Sequence, residues 1–226
     1  MKALQFVLSI TQLKFIKSEI DRLLGYSMLF SILLVIVRVW YSHELVFVFM
    51  PWNLFLAYVP YKLLQISKSY IVASKSKIGF GFIFFVWLVF IPNAFYMITD
   101  LFHLYQRERV PLWFDLILLM SYAWNGLILG MLSVREMEKM LAVMIPRLHR
   151  VIFIMAIMFL NSLGVYLGRY LRFNSWDIVA DPFNLVLQMI GMFYHKEPWA
   201  MIVSFTVMMS IMYQMVCLSS PPAKEG

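Results

Sequence analysis

The sequence predicts an all-α fold, a polytopic membrane bundle of about six transmembrane helices. Of its 226 residues, 62% are hydrophobic and only 14% are charged, and the mean hydropathy is +0.79. Soluble domains carry roughly 45–50% apolar and about 25% charged residues. The composition therefore excludes an ordinary soluble domain, a nucleic-acid-binding module and a disordered protein, and the expected partners are membrane lipids.

Six stretches come close to the roughly 20 apolar residues that a helix needs to cross a bilayer. They are residues 23–40, 45–61, 78–99, 112–134, 151–171 and 199–218. The second is short and contains Pro51. Pro92 predicts a break in the third span and a freed backbone carbonyl that Asn93 could satisfy. Between the last two spans, Asp181 and Pro182 predict the capped start of a helix too short to span, which we expect at the membrane interface.

Lysine and arginine are distributed unevenly between alternate loops. Thirteen of the nineteen fall in the N-terminal segment, the loops after spans two and four, and the tail. Because cytoplasmic loops carry the excess of these residues, we expect both termini in the cytoplasm. The predicted organisation is a cytoplasmic amphipathic segment at 1–22, a single membrane domain at 23–218 and a cytoplasmic tail at 219–226. The lone Cys217 allows no intramolecular disulfide.

The third predicted span carries a polar stripe that leads to the outer surface. Its members are Asn93, Tyr96, Asp100 and His103. Asp100 and His103 could present a carboxylate and an imidazole to one metal ion, or act as a base and its orienting partner. Asp115, at the start of the fourth span, is the third candidate for this catalytic set. The alternative is that the two aspartates lie at headgroup level and pair with Arg107 or Arg109.

The fifth predicted span ends in two arginines, Arg169 and Arg172, on the outer side, against the usual charge bias. One possible compensation is a structural ion-pair network with Asp100, Asp115 and Asp177. The other is an external anion such as a lipid phosphate, which suits the guanidinium fork. The candidate ligand-binding residues are Asn93, Arg169, Arg172, Asn174 and Asp177.

Two Gly-x-x-x-Gly spacings occur in neighbouring predicted spans. Gly126 and Gly130 lie in the fourth, and Gly164 and Gly168 lie in the fifth. Small residues at this spacing let helix backbones approach closely. We therefore expect these glycines to serve packing, and we assign them no chemical role.

Three segments carry distinctive motifs, namely IPNAFYMITDLFH at 91–103, PLWFD at 111–115 and YLGRYLRFNSWD at 166–177. Together with WNLFLA at 52–57, they resemble a family of bacterial polytopic membrane proteins known only as a domain of unknown function. The resemblance covers roughly residues 25–215. It implies a multi-pass protein of the bacterial inner membrane, and it implies no activity.

The leading functional hypothesis is that the outer polar residues bind an anionic lipid headgroup or a lipid-linked phosphate, with a divalent cation or catalysis left open. One alternative is a transporter or flippase, which requires a polar cavity at the membrane midplane near Asn53, Asn93 and Asn125. Another is a non-catalytic assembly subunit in which the charges form only an ion-pair clasp, and such a clasp requires Arg172 for folding. The sequence identifies no metal, cofactor or oligomeric state.

Overall fold

The computed structural model describes residues 2–74, 77–142, 147–173, 177–192 and 194–218. These residues form helices joined by loops, and no strand occurs among them. The helices are α1 (Lys2–Ser42), α2 (Met50–Ser74), α3 (Lys77–Phe90), α4 (Pro92–Tyr96), a 3₁₀-helix (Met97–His103), α5 (Leu112–Leu141), α6 (Arg147–Tyr170), α7 (Asp177–Ala180), α8 (Pro182–Met192) and α9 (Lys196–Leu218). The prediction of an all-α fold is confirmed.

Five stretches of helix among the described residues are long and apolar enough to cross a membrane. They are Glu19–Ser42, Ile78–His103, Leu112–Leu141, Arg150–Tyr170 and Lys196–Leu218, and they correspond to predicted spans one, three, four, five and six. The predicted second span, 45–61, is shifted, because α2 begins only at Met50 and continues to Ser74. Helix α2 is long enough to cross but less apolar, since it carries Asn53, Lys62 and Gln65.

Helix α2 nevertheless runs alongside the other helices from one end of the bundle to the other. Near its start, the Asn53 amide donates to the Asp100 carboxylate at 3.5 Å. Further along, the Tyr61 hydroxyl donates to Asp21 of α1 at 2.6 Å, and the Gln65 amide donates to the same carboxylate at 3.1 Å. Asp21 begins the apolar part of α1 and Asp100 ends that of the third span, so α2 links opposite ends of the bundle. This placement supports the sixth crossing.

The beginning of the first span and the end of α9 lie at the same end of the bundle. Tyr213, in the last turns of α9, donates a hydrogen bond to Glu138 of α5. Glu136, two residues earlier, is a charged neighbour of Tyr61, which binds Asp21. An even number of crossings follows from this arrangement, as the predicted topology requires. The assignment of that end to the cytoplasm stays a prediction.

Helix α5 is the centre of the bundle. Its most apolar stretch is 67% buried, against 17% to 33% in the other four candidate spans. Leu118, Tyr122 and Leu129 are fully enclosed. Trp87 of α3 packs against this helix, and its indole N–H donates to the Ser133 hydroxyl at 2.8 Å. That bond satisfies a polar group that would otherwise be unpaired in an apolar environment.

The third span breaks at Pro92, as predicted. The proline ring has no N–H to donate and clashes with the preceding turn, so α3 ends at Phe90 and α4 begins at Pro92. The side-chain amide of Asn93 donates to the Phe90 carbonyl at 2.9 Å. The carbonyl that Pro92 leaves without its N–H is that of Leu88, so its satisfaction by Asn93 stays a prediction. After α4 the chain tightens into the 3₁₀-helix, which ends at His103.

The short helix α4, which follows this break, packs against the glycines of both Gly-x-x-x-Gly motifs. A Cβ added at Gly126 would lie 2.4 Å from the carbonyl oxygen of Ala94, and one at Gly164 would lie 2.8 Å from the Pro92 ring. A Cβ added at Gly130 would lie 2.8 Å from the Phe95 ring, and one added at Gly168 would lie 3.3 Å from the Tyr96 ring. The predicted close packing is confirmed, and its partner is α4, which lies between α5 and α6.

The predicted short helix is present as α8. The backbone N–H of Asn184 donates to the Asp181 carboxylate at 3.3 Å, so Asp181 is the N-cap and Pro182 the first helical residue. Eleven residues are too few to span a bilayer. Phe183 is 84% exposed and Leu187 is 67% exposed, so an apolar surface faces away from the bundle, as in a helix at the membrane interface.

Helix α1 continues from Lys2 to Ser42 without a break. The predicted N-terminal segment 1–22 therefore belongs, from Lys2 onward, to the same helix as the first span. Its amphipathic, cytoplasmic character stays a prediction, and the predicted tail at 219–226 lies outside the described residues.

Candidate functional site

Two groups of polar and charged side chains lie at the end of the bundle where α1 ends and α5 begins. The first, called here the Asp115 group, consists of Arg38, Glu44, Arg107 and Asp115. The second, called here the Asp100 group, consists of Asn53, Tyr96, Asp100, His103 and Arg169. The groups are neighbours, because the charge of Arg107 acts on His103.

In the Asp115 group, one carboxylate is bound by two arginines. Arg38 donates from Nε to Oδ1 of Asp115 at 2.8 Å and from Nη2 to Oδ2 at 3.4 Å. Arg107 donates to Oδ2 at 2.8 Å. The remaining nitrogen of Arg38, Nη1, donates to the Ser42 hydroxyl at 3.4 Å, and Glu44 lies 3.6 Å from Nη2. The Arg38 and Asp115 side chains are 0% and 1% exposed.

An aromatic ring and a tight turn hold this group in place. The guanidinium carbons of Arg38 and Arg107 lie 4.7 Å and 4.8 Å from the centre of the fully buried Phe47 ring, as in cation–π contacts. The chain leaves α1 through His43, whose φ of 57° is left-handed and whose N–H bonds the Val39 carbonyl at 2.9 Å. This turn brings Phe47 back over the end of α1.

In the Asp100 group, one nitrogen of Arg169 serves three partners. Nη1 lies 3.4 Å from Oδ1 of Asp100, 3.1 Å from Nε2 of His103 and 3.5 Å from the Tyr96 hydroxyl. The other carboxylate oxygen of Asp100 accepts from Asn53 at 3.5 Å. The Asp100 side chain is 1% exposed, whereas that of Arg169 is 13% exposed. Most of these contacts are at the long limit for hydrogen bonds.

The 3₁₀-helix explains why Asp100 and His103 meet the same arginine. Residues three apart are eclipsed in a 3₁₀-helix, so both side chains leave on one side. His103 also packs edge-on against Phe49, with ring centres 5.7 Å apart. The Arg169 guanidinium carbon lies 5.4 Å from the centre of the Phe102 ring. Aromatic side chains therefore flank the group.

Arg38 and Arg169 differ in how many of their side-chain nitrogens form hydrogen bonds. All three nitrogens of Arg38 have partners, and its side chain is enclosed. Arg169 makes its hydrogen bonds through Nη1, and no described residue bonds its Nε or Nη2. One edge of the Arg169 fork is therefore available to a further acceptor.

The structure divides the predicted catalytic set. Asp100 and His103 lie in the Asp100 group as expected. Asp115, the third candidate, is instead occupied by Arg38 and Arg107, because α5 begins beside the end of α1. The alternative in which Asp115 pairs with Arg107 is the one that the structure shows. The predicted network therefore separates into two.

The other predicted ligand-binding residues are placed differently. Arg172 is exposed, with a left-handed φ of 60°, and forms no hydrogen bond or ion pair among the described residues. Within the described ranges, therefore, Arg172 makes none of the ion pairs expected of a clasp. Asp177 is half-buried at the start of α7, and the Asn93 amide binds the Phe90 carbonyl. Asn174 lies outside the described residues.

Neither a metal centre nor a midplane cavity gains support from this geometry. Across the described parts of the chain, no group of three His, Cys, Asp or Glu side chains could hold a metal ion. The Asn125 amide donates to the Ser31 hydroxyl and to the Ser121 carbonyl, each at 2.9 Å, so it joins α1 to α5. An open cleft of about 620 Å³ lies instead beside Tyr166 and α8.

Sequence reasoning assigned neither Arg38 nor Phe47 to a site, and it placed Asn53 only beside the midplane cavity of the transporter alternative. Two of them carried a usable signal, because a charge or an amide inside an apolar span requires a partner in the bundle. Arg38 and Asn53 both meet that description. Phe47 carried none, since one phenylalanine among twenty is not distinguished by its neighbours.

The long apolar helices and the polar groups at one end of the bundle define the class, a multi-pass helical integral membrane protein. The family model described as "Protein of unknown function (DUF1361)" matches residues 52–212, and the chain belongs to that family. The family assignment confirms the resemblance, although α1, with Arg38, lies outside the matched residues. No curated protein and no solved structure matches the chain.

Proposed function

We propose that the Asp100 group binds the phosphate of an anionic lipid headgroup or of a lipid-linked phosphate. The observation that carries the proposal is the free edge of the Arg169 fork, where Nε and Nη2 have no partner among the described residues. Two parallel N–H groups of a guanidinium match two oxygens of a phosphate. The side chain is 13% exposed, so a ligand can reach it.

The two groups differ in how closely their charges are paired. Together they contain three arginines and three carboxylates, Arg38, Arg107 and Arg169 with Glu44, Asp100 and Asp115. Arg169 lies 3.4 Å from Asp100, whereas Arg38 and Arg107 each lie 2.8 Å from Asp115. An external anion at Arg169 therefore adds acceptors for donors that Asp100 leaves unused.

The surroundings suit a lipid headgroup in particular. Phe49, Phe102 and Tyr105 are 39%, 61% and 58% exposed, and they lie beside His103, Arg169 and Arg107 respectively. Tyrosine is typical of the boundary between acyl chains and headgroups, and the two phenylalanines add apolar surface beside it. A phosphate held by Arg169 therefore leaves the attached lipid in contact with an apolar rim.

We further propose that the membrane is the bacterial inner membrane and that this site faces its outer side. The lysine and arginine distribution supports the orientation, because thirteen of nineteen lie on the side of the termini. The family resemblance described above motivates the choice of membrane. Fusion of reporter enzymes to the loop between α4 and α5 and to the C-terminus tests the orientation.

Titration of delipidated protein in detergent tests ligand binding, with phosphatidylglycerol and a polyprenyl phosphate as separate probes and native mass spectrometry as the readout. We expect Arg169→Gln to weaken binding by about tenfold or more, as for loss of a charge-assisted pair. Arg22→Gln is the matched control, because Arg22 pairs with Glu19 on the surface at the opposite end of the bundle.

The two probes distinguish the sources of the phosphate. Selective loss of phosphatidylglycerol binding indicates a bulk headgroup site, and selective loss of polyprenyl phosphate binding indicates a lipid-linked phosphate site. The proposal is contradicted if a folded Arg169→Gln variant binds each of the two probes as tightly as wild type does. A melting curve for each variant establishes that the fold is retained.

A further inference from the structure

The open cleft beside Tyr166 is a second concave surface, separate from the Asp100 group. Its volume of about 620 Å³ lies within the range of small-ligand sites. It forms where the end of α6, the end of α8 and the start of α9 come together. Tyr166 and Arg169 are three residues apart on α6, so the cleft and the Asp100 group are adjacent at one end of the bundle.

The lining of this cleft is amphipathic. Met192 and Pro198 are buried, and they supply apolar surface at its base. Gln188, Lys196 and Glu197 are exposed and supply its polar edge. A lipid presents the same combination, since its headgroup is polar and its glycerol and acyl portion is apolar. Helix α8, with its exposed apolar side chains, extends the cleft toward the acyl chains.

The charges of the cleft have both signs and do not neutralise each other. Lys196 and Glu197 are consecutive helical residues, which point about 100° apart on a helix with 3.6 residues per turn. Neither forms an ion pair or hydrogen bond through its side chain among the described residues. The Glu197 charge acts instead on Tyr166, across the cleft lining. A cation and an anion are thus both available to a ligand.

We propose that this cleft binds the headgroup of one zwitterionic phospholipid, which carries a phosphodiester and an ammonium. The Lys196 ammonium pairs with the phosphate, the Glu197 carboxylate pairs with the ligand's ammonium, and Gln188 and Tyr166 hydrogen-bond to the remaining oxygens. The charge pattern favours this class over a purely anionic lipid, because the lining sets one carboxylate, Glu197, against the Lys196 ammonium, with His195 as its remaining basic side chain. The inference is independent of the anion site at Arg169.

The test uses delipidated full-length protein in detergent, titrated with short-chain phosphatidylethanolamine or with its N-acetylated form, which keeps the phosphate and loses the ammonium charge. Because the N-acetylated lipid is an anion that the proposed site at Arg169 would also bind, the two lipids are compared in an Arg169→Gln background. There we expect the unmodified lipid to be preferred and Glu197→Gln to reduce that preference roughly threefold, as for a solvent-exposed ion pair. Lys196→Gln is expected to weaken binding of both lipids by a similar factor. Glu108→Gln, another exposed acid to amide change outside this cleft, is the matched control.

Arg169→Gln separates this inference from the proposed anion site. We expect that variant to retain the preference for phosphatidylethanolamine, even where it no longer binds phosphatidylglycerol. Equal binding of both lipids by Arg169→Gln overturns the inference. It is also overturned if Glu108→Gln reduces the preference as much as Glu197→Gln does. Because Lys196 and Glu197 are exposed, either variant tests the cleft if the other fails to fold.

Discussion

Two arginine–aspartate pairs lie at the same end of this bundle, and they differ in how fully each guanidinium is bonded. Arg38 approaches Asp115 to 2.8 Å, and both side chains are enclosed. Arg169 approaches Asp100 only to 3.4 Å and keeps 13% of its side chain exposed. The first pair satisfies its own charges, whereas the second leaves donors available.

This difference separates a structural role from a binding role. A buried charge that loses its partner is strongly destabilising, so a fully bonded pair is needed for folding. A guanidinium with unused donors next to lipid instead has capacity for an external anion. Sequence position alone does not reveal the distinction, because both arginines lie near the ends of apolar spans.

The backbone beneath the two aspartates differs as well. Asp115 stands in the first turn of the central helix α5. Asp100 stands in the 3₁₀-helix that follows the break at Pro92, and its position depends on the glycines that hold α4. The Asp100 group can therefore be perturbed through packing at a distance.

The largest effect is expected from Arg38→Ala. The substitution leaves Asp115 with Arg107 alone and empties a buried position, and breaking a buried ion pair costs about 3–5 kcal/mol. We expect a large loss in the free energy of unfolding, measured by denaturation in detergent. The triple variant Arg38→Met, Arg107→Met and Asp115→Leu should recover part of that loss, because neither the carboxylate nor either arginine then remains buried without its partner.

Two controls define the comparison for this variant. Arg22→Ala removes a surface pair and should cost about 1 kcal/mol or less. Arg169→Ala breaks a longer pair whose arginine is partly exposed but whose aspartate is buried, so we expect a loss between those of Arg22→Ala and Arg38→Ala. If Arg169→Ala destabilises as much as Arg38→Ala, the division into a structural pair and a binding pair is wrong.

The next effect concerns the glycines that hold α4. A Cβ at Gly126 would lie 2.4 Å from a backbone oxygen, which cannot move without shifting α4. Gly126→Ala should therefore destabilise the protein by about 1–3 kcal/mol, as for overpacking. Gly25→Ala is the control, because nothing lies within 4 Å of a Cβ there. Equal melting temperatures for both variants contradict the tight packing of α4.

Much of the fold could be predicted because membrane spans obey a composition rule. The break at Pro92, the cap at Asp181 and the packing glycines each follow from the local chemistry of one residue type. The start of α2 could not be placed in this way. Residues 45–49 are apolar enough to be predicted as part of a span, and only their packing over α1 makes them a loop.

The candidate site could be predicted only in part, because partners in a bundle come from distant helices. The stripe on the third span led to Asp100 and His103, and the outer arginine to Arg169. Asp115 and Arg38 are 77 residues apart, and nothing in the local sequence of either indicates the other. The sequence located the charges near one surface, and tertiary packing decided which of them pair.

A smaller effect is expected at the carboxylate that competes for Arg169. Asp100→Asn removes the negative charge beside Nη1 but keeps an oxygen that can accept from Arg169 or Asn53. We therefore expect tighter binding of phosphatidylglycerol, by roughly threefold, because an external anion no longer competes with a carboxylate. Titration followed by native mass spectrometry measures the shift. Weaker binding in a folded variant contradicts an anion site at Arg169.

The smallest effects on stability are expected at two buried amides inside the bundle, Asn125 and Asn161, which again differ in their hydrogen bonds. The Asn125 amide nitrogen donates to Ser31 and Ser121, whereas neither polar atom of the fully buried Asn161 amide has a partner among the described residues. Asn125→Leu should therefore destabilise by about 1 kcal/mol, while Asn161→Leu should leave stability unchanged or raise it by about 1 kcal/mol. Denaturation curves of the two variants in one detergent measure the difference. If Asn161→Leu clearly lowers the free energy of unfolding, the amide has a hydrogen-bond partner in the membrane. Asn161 then stabilises the fold in the same way as Asn125.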